Sequence, residues 1–536
     1  MFKILFSLLF FLASPTGQFQ TPASDPRECA VQGVVVNASG GEFLRKAVVT
    51  LCMAGTSNHC TGAVTDATGQ FEIRGIFPGR FELSATRNGY IEQPYGQRTP
   101  GGSGVILTLS PGQKLSGLSL RLTPAAVISG HVYDEDGAPV ADAVVSDLHL
   151  VYMNGQRQLR KGAVVRTNDL GEYRIWGLAE GTHFVLAEYL PTRLATTPTE
   201  LGYLPIFYPG VLEAVHAAPI MVRSGDEFAG ANIDLQPAHT VRIRGHVYGA
   251  VQNIKVFLLL RDISAIGVLV PPLYAQERNG DYELYNVTPG SYYLYATGQG
   301  LSGQMMSRQL LEVNDTNLDH ADVALVRGTN LSGSTHIEGI SVARSLQVSL
   351  LPKNGRTVFG SALSTLTSPS GGFALENVYP GDYDVEVDDL GGSYYLKSAR
   401  LDGADVLARG LSTDLYPNPT RLDILIGRNG ATIDGVVTKD QQPYSGATVA
   451  LVPDPPHRSE QHLFKTTSTD QFGRFVMEGV PPGDYKVFAW ECIEHAAYTS
   501  SDFLQPFELR GESAHVSESS HVTLNLDLIP KTEVDQ

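Results

Sequence analysis

One phrase is written five times along this 536-residue chain. It starts at Gly69, Gly171, Gly280, Gly371 and Gly473, reads Gly-x-Phe/Tyr, runs through an alternating apolar stretch, and ends at Gly79, Gly181, Gly290, Gly381 and Gly483. The two glycines stand ten residues apart in every copy, and successive copies start 102, 109, 91 and 102 residues apart. Self-similarity at that spacing predicts an array of units, each about the size of a domain.

The fifth copy shows how a unit is built. Residues 431–438 alternate as a strand, 439–443 signal a turn, and 447–453 read as a second strand. A Pro-rich loop at 454–461 leads to a third strand at 465–469. At Asp470-Gln471-Phe472-Gly473 the aspartate can bond its own backbone two residues on, and the glycine accepts a positive φ. A strand at 474–478, a Pro481-Pro482-Gly483 turn and a strand at 484–490 follow, the last with Tyr485, Val487 and Ala489 on one face. The alternating stretch 522–528 closes the unit. About seven strands in about a hundred residues predict a two-layer sandwich.

The other copies carry matching parts. Opening stretches around Gly33, Gly130, Gly245 and Gly333 match the one around Gly435, and closing stretches 118–122, 231–235, 321–326 and 422–426 match 522–528. The expected fold class is all-β, with sandwiches over 28–123, 126–237, 239–327, 329–427 and 430–530. Links such as Thr123-Pro124-Ala125 and Gln236-Pro237-Ala238-His239 are short, which predicts an elongated, semi-rigid string with small interfaces between neighbours.

Composition narrows the function. The chain holds 55 Gly and 31 Pro, and it shows no heptads or long helical stripes. A net charge of −17 repels phosphate backbones and anionic lipid, so no nucleic-acid partner is expected. Lys3, an apolar run from residue 4 to 13 and small polar residues after it predict a signal peptide over 1–22 and export, to the periplasm, the outer surface or the medium. No later apolar stretch is long enough to span a membrane. Of four cysteines, Cys52 and Cys60 sit eight apart across a loop and suit a hairpin disulfide, with Cys29 an alternative partner; Cys492 reads as a buried thiol.

The phrase Thr65-Asp66-Ala67-Thr68-Gly69-Gln70-Phe71-Glu72-Ile73, with Ile76-Phe77-Pro78-Gly79-Arg80-Phe81 after it, resembles the carboxypeptidase regulatory-like domain. Thr469-Asp470 through Pro482-Gly483-Asp484-Tyr485 resembles it too. The second copy departs at Ala179-Glu180-Gly181 and the third at Arg278-Asn279-Gly280. The resemblance implies a transthyretin-like β-sandwich, related to carbohydrate-binding-like sandwiches and strung in tandem in exported bacterial proteins. The large catalytic domain of a metallocarboxypeptidase has no counterpart here.

Catalytic patterns do not emerge. There is no nucleophile elbow, phosphate loop or dinucleotide fingerprint, and no cofactor is expected. His457-Arg458-Ser459-Glu460 with His462, and His515-Val516-Ser517-Glu518, have zinc-ligand residue types, but they lie in polar loops and no metal site is expected. Asp388-Asp389 would point to opposite faces of a strand and cannot act as a glycosidase pair.

The most promising functional feature is an aromatic loop after the second glycine. In the first copy it contains Tyr90 and Tyr95, and in the second Tyr203, Phe207 and Tyr208. Rings flanked by polar groups can stack on sugars, or they can pack back onto the sandwich. Packing is the favoured reading of the two. Trp176 and Trp490 read as structural. The chain is therefore expected to be a non-catalytic binding or scaffolding array, with polysaccharide or envelope glycan the first ligand class and envelope proteins a second class of partner. A pure spacer or adhesion array is the alternative, and an accessory subunit of a secreted hydrolase a third.

Overall fold

The structure is a computed structural model that describes residues 27–534, apart from 56–58, 98–101, 154, 190–197, 250–251, 262–272, 302, 341–344, 354–362, 389 and 414–420. The expected signal peptide lies outside the described residues. The rest is nearly all strand, arranged as two facing sheets in each of the five repeats. A separate hydrophobic cluster fills each sandwich, drawing residues from both sheets.

One sheet of every sandwich is organised around the opening strand. In the fifth unit this strand, Ala431–Lys439, pairs antiparallel with Arg474–Val480 and parallel with His521–Asp527. The same three-way arrangement holds Cys29–Asn37 in the first unit and Thr329–Ile337 in the fourth. In the second and third units the parallel partner is reduced to short segments. Because the first and last strands of a unit are neighbours, each repeat closes on itself.

The Gly-x-Phe/Tyr phrase works through a partner that lies about 40 residues earlier in the chain. In register, Phe71 faces Gly33, Tyr173 faces Gly130, Tyr282 faces Gly245, Phe373 faces Gly333 and Phe475 faces Gly435. A Cβ at any of those opening-strand glycines would overlap a main-chain carbonyl oxygen of the closing segment, at Leu118, Ala231, Ala321, Leu422 or Leu524. The bare glycine thus lets the closing segment come close, and the opposing ring covers the gap. Tyr173 and Tyr282 add a hydrogen bond, each donating its hydroxyl to that same carbonyl.

The turn before the ring is fixed by polar side chains. Oδ1 of Asp470 accepts from the amides of Phe472 and Arg474 at 2.8 and 2.9 Å, and Asp66 and Asn168 do the same in their units. Gly473 follows at φ +73°, a conformation that other residues adopt only with strain. A buried threonine precedes the acid. Oγ1 of Thr469 accepts from the Ala447 amide at 2.9 Å and donates to the Tyr444 carbonyl at 2.8 Å, tying the turn to the second strand. Thr65 and Thr167 repeat both bonds. The second glycine of the phrase has a positive φ only at Gly181 and Gly290, so it is not a second bend of the same kind. At Gly79, Gly381 and Gly483 it instead leaves room for the aromatic ring two residues on.

The elongated string expected from the short links is not what forms: the chain folds back and the fifth sandwich lies against the first. The Gln471 amide bridges the backbone of Thr108, donating to its carbonyl at 2.9 Å and accepting from its amide at 3.0 Å. Oγ of Ser103 lies 2.6 Å from Oγ1 of Thr448, Arg80 Nη1 donates to the Val476 carbonyl at 3.3 Å, and Ile106 bridges in parallel to Asp470. The second sandwich also meets the fifth, through Arg157 with Glu494 at 2.7 Å and Tyr152 with Phe503 at 6.0 Å between ring centroids. Short links restrict each bend without setting its direction, so they do not exclude this return.

Candidate functional site

Of the five loop aromatics Phe207 is buried, and Tyr90, Tyr95, Tyr203 and Tyr208 are half-buried. Phe207 is only 4% exposed and lies in an apolar cluster with Leu148, Leu186 and Ala217. Tyr208 packs on the core of the second sandwich and meets Phe228 edge-on, while Tyr203 leans on Tyr189 and donates to Glu135 at 2.7 Å. Tyr90 and Tyr95 pack against the first core, and burial pushes the Tyr95 phenol up. Arg87 lies over the Tyr90 ring at 5.4 Å. The Phe207 ring has no free face for a sugar, and the other four lean on their own unit. The sequence hides this because a loop's aromatic residues look the same whether the loop folds outward or back.

Trp490 and Trp176 differ. Trp490 is fully buried, stacked on Phe488. Trp176, expected to be structural, is 60% exposed because its position in the strand Glu172–Leu178 points away from the core. Cys52 and Cys60 form a disulfide across the hairpin, and Cys29 and Cys492 are buried and outside any disulfide.

The zinc-like strings resolve into ion pairs. His457 Nδ1 sits 2.6 Å from Glu460, with His462 Nε2 3.7 Å from the other oxygen. His515 pairs with Asp484 at 2.6 Å, while Glu518 reaches the fourth unit and binds Tyr395 and Lys397. Among the described residues no group of three or more His, Cys, Asp or Glu side chains could hold a metal ion. Asp389, of the Asp388-Asp389 pair, lies outside the described residues.

A charged pair that sequence reasoning missed lies inside the second sandwich. His183 Nδ1 is 2.7 Å from Asp147 Oδ1 and its Nε2 is 2.9 Å from the Ala179 carbonyl. Both partners can only accept, so the ring donates twice and is held as imidazolium. Burial alone would lower the His183 pKa, but the Asp147 bond and charge outweigh it and raise it. Burial opposes the Asp147 charge, and the bonds from His149 and His183 hold its pKa below the usual value. No nucleophile is paired with this ring, so we assign it to structure. A raised histidine pKa stabilises fully below its ordinary value of 6.5, and that contribution is lost as pH rises through the higher folded value. Asp147→Asn is therefore expected to cost about 1–2 kcal/mol at pH 6 and less at pH 8, read as the difference in urea midpoints from wild type.

The concave site with the most varied chemistry is the cleft between the first and fifth sandwiches, about 700 Å³ in volume. On one wall the strand Gly79–Thr86 turns Glu82 and Ser84 outward while Phe81, Leu83 and Ala85 enter the core. Glu92 accepts from Ser84 at 3.0 Å beside them. On the other wall stand the hydroxyls of Thr448, Thr466, Thr467 and Ser468, with Tyr498, Ile493 and His495 at one end. Glu494 also lines it and is neutralised by Arg157. The cleft thus offers hydroxyls, the carboxylates of Glu82 and Glu92 and an apolar patch, and among the described residues no lysine or arginine lines it.

These features define a tandem β-sandwich protein with an interdomain cleft. Its first sandwich matches the family model of the carboxypeptidase regulatory-like domain over residues 30–120. The other four repeat that unit's ring-facing glycine. No curated protein matches the chain. Among solved structures it is similar to GBS52, the minor pilin of Streptococcus agalactiae, at 13% identity, covering 38% of this chain and 94% of that one with a TM-score of 0.23. BcpA, the major pilin subunit of Bacillus cereus, aligns at 11% identity over 75% of this chain and 99% of that one, with a TM-score of 0.16. The Bacillus anthracis TIE protein aligns at 13% identity over 55% of this chain and half of its own length, with a TM-score of 0.17.

Proposed function

We propose that this chain is an exported, non-catalytic scaffold of five domains, over 28–123, 126–237, 239–327, 329–427 and 430–530, that holds a neutral glycan in the cleft between the first and fifth. The observation that carries the reading is the lining of that cleft. Sugar hydroxyls need acceptors and donors at close spacing, which Glu82, Glu92, Ser84, Thr466 and Thr467 supply, and the less polar face of a pyranose needs an apolar surface, which the half-buried Pro94 supplies. Among the described lining residues the carboxylates have no cation beside them, which disfavours uronic acids and phosphate polymers. Carboxypeptidase regulatory-like domains are non-catalytic, which supports a binding role. Among the described residues no helix is long and apolar enough to cross a membrane.

The test is binding of neutral and acidic oligosaccharides to the mature chain by calorimetry. Glu82→Ala and Glu92→Ala should each weaken binding of a neutral glycan by roughly tenfold, the worth of one charge-assisted hydrogen bond, with the unfolding temperature unchanged. Equal binding by both variants, or a preference for acidic polymers, would remove the cleft as the site.

A further inference from the structure

A second buried acid lies at another joint, away from the cleft. Glu188 ends the strand Gly181–Glu188 of the second sandwich, is 3% exposed, and among the described residues neither carboxyl oxygen has a hydrogen-bond partner. It shares the outer face of its sheet with Leu186, which packs in a cluster that Leu260 of the third sandwich joins. On the neighbouring strand Ser146 is fully buried, and its hydroxyl also lacks a partner. The carboxyl lines a cavity of about 30 Å³ between the two sandwiches, closed on the far side by Leu258, Leu260, Asn286, Thr288 and Tyr292. That space admits a water-sized group and no organic ligand. The joint is otherwise held by light contacts. The strand Leu201–Tyr203 pairs with the linking strand Pro237–His239, and the Thr199 amide donates to Asn286 at 2.8 Å.

An ionised carboxylate with no partner is costly to bury, and a cavity too small for a counter-ligand leaves the proton as what satisfies it. We propose that Glu188 makes the joint between the second and third sandwiches proton-operated: closed while the carboxyl is protonated, and driven to part when it ionises. Lys161, on the strand Gln156–Arg166 one strand further across the same sheet, is the one charge among the described residues that acts on the carboxyl, and it draws the group toward ionisation. The groups that face it from the third sandwich are uncharged, Tyr292 being held neutral by a phenol pushed up to about 12. Desolvation, partly offset by Lys161, raises the carboxyl in the closed joint to about 7 from an ordinary 4.5. A raised carboxyl stabilises the closed form fully below 4.5 and loses that contribution as pH climbs through 7. Between those values each pH unit favours parting about tenfold, and above them the effect is complete.

Native-state hydrogen exchange on the full mature chain, corrected for the intrinsic pH dependence of exchange, reads the joint through the amides of Gln252–Leu260 and Leu201–Tyr203. From pH 5 to pH 7.5 the opening constant of the wild type should rise roughly a hundredfold. In Glu188→Gln it should stay flat, and in Lys161→Met the rise should move to higher pH because the stabilising cation is gone. A flat wild type, a Glu188→Gln profile that follows the wild type, or a Lys161→Met profile that does not move would each overturn the proposal. If Glu188→Gln fails to fold, the position of the Lys161→Met rise decides.

Discussion

Gly435→Ala is expected to destabilise the fifth sandwich by about 3 kcal/mol or more, against the roughly 1 kcal/mol typical of a substitution. The added Cβ would overlap the Leu524 carbonyl and press on the Phe475 ring. Neither can yield cheaply. The carbonyl belongs to the closing strand, fixed in parallel register from Thr432–His521 to Thr438–Asp527, and Phe475 is among the largest fully buried side chains. Parting the strands would sacrifice ladder hydrogen bonds, and moving the ring would open a void. Phe475→Ala removes the ring and is expected to cost a similar amount, roughly 3–5 kcal/mol. The double variant should still lose most of the sum, because the overlap of the new methyl group with the Leu524 carbonyl remains once the ring is gone.

Trp490 reports these losses directly. It is fully buried in the fifth sandwich, and the other tryptophan, Trp176, is already exposed in the second. The fluorescence shift during urea unfolding therefore follows the fifth unit. Gly391→Ala, in the fourth sandwich, is the control for loss of a glycine as such, since a Cβ there meets nothing within 4 Å and its φ is not in the positive region; calorimetric unfolding of the whole chain should change by less than about 0.5 kcal/mol. A Gly435→Ala protein with the wild-type midpoint would refute the ring-over-glycine account of the repeat.

The second large effect concerns the closure of the array. Gln471→Ala removes both hydrogen bonds that one amide makes with the Thr108 backbone, and it leaves a carbonyl and an amide of the first sandwich without these partners. At about 1 kcal/mol each, their loss should shift the balance between joined and parted sandwiches by roughly 30-fold. Each unit keeps its own core, so the unfolding midpoint read by Trp490 should scarcely move while the radius of gyration from small-angle scattering increases. Unchanged scattering would mean that the remaining contacts of Ser103, Arg80 and Ile106 hold the joint alone. Losses within one sandwich and losses between sandwiches thus have separate readouts.

The repeat and the strand alternation were legible because they are local: a strand's period of two and an Asp-x-x-Gly turn are written in adjacent residues. The turn acid Asp470, the core face of Tyr485, Val487 and Ala489, and the cysteine pair Cys52 and Cys60 all follow from such short spacings. The pairing of Phe475 with Gly435 is also written in every copy, but its two members lie 40 residues apart and gain meaning only through register. Chemistry at the joints was less legible still. Glu82 and Thr467 share a cleft across almost the whole chain, and Glu188 resembles any strand-end acid until a neighbouring sandwich covers it. In the aromatic loops Phe207 is buried, in keeping with the favoured reading that such rings pack back onto the sandwich.

The most direct test is a cross-link between the first and fifth sandwiches. Oγ of Ser103 and Oγ1 of Thr448 are 2.6 Å apart, so Ser103→Cys with Thr448→Cys places two sulfurs within bonding reach; Cys29 and Cys492 are buried, and the Cys52–Cys60 disulfide, whose Cys52 lines the same cleft, must be retained alongside the new link. In dilute monomeric protein under mild oxidation, a folded-back chain should form this disulfide within one molecule and yield a single linked peptide by mass spectrometry. Free thiols at both positions, together with scattering from an extended particle, would contradict it.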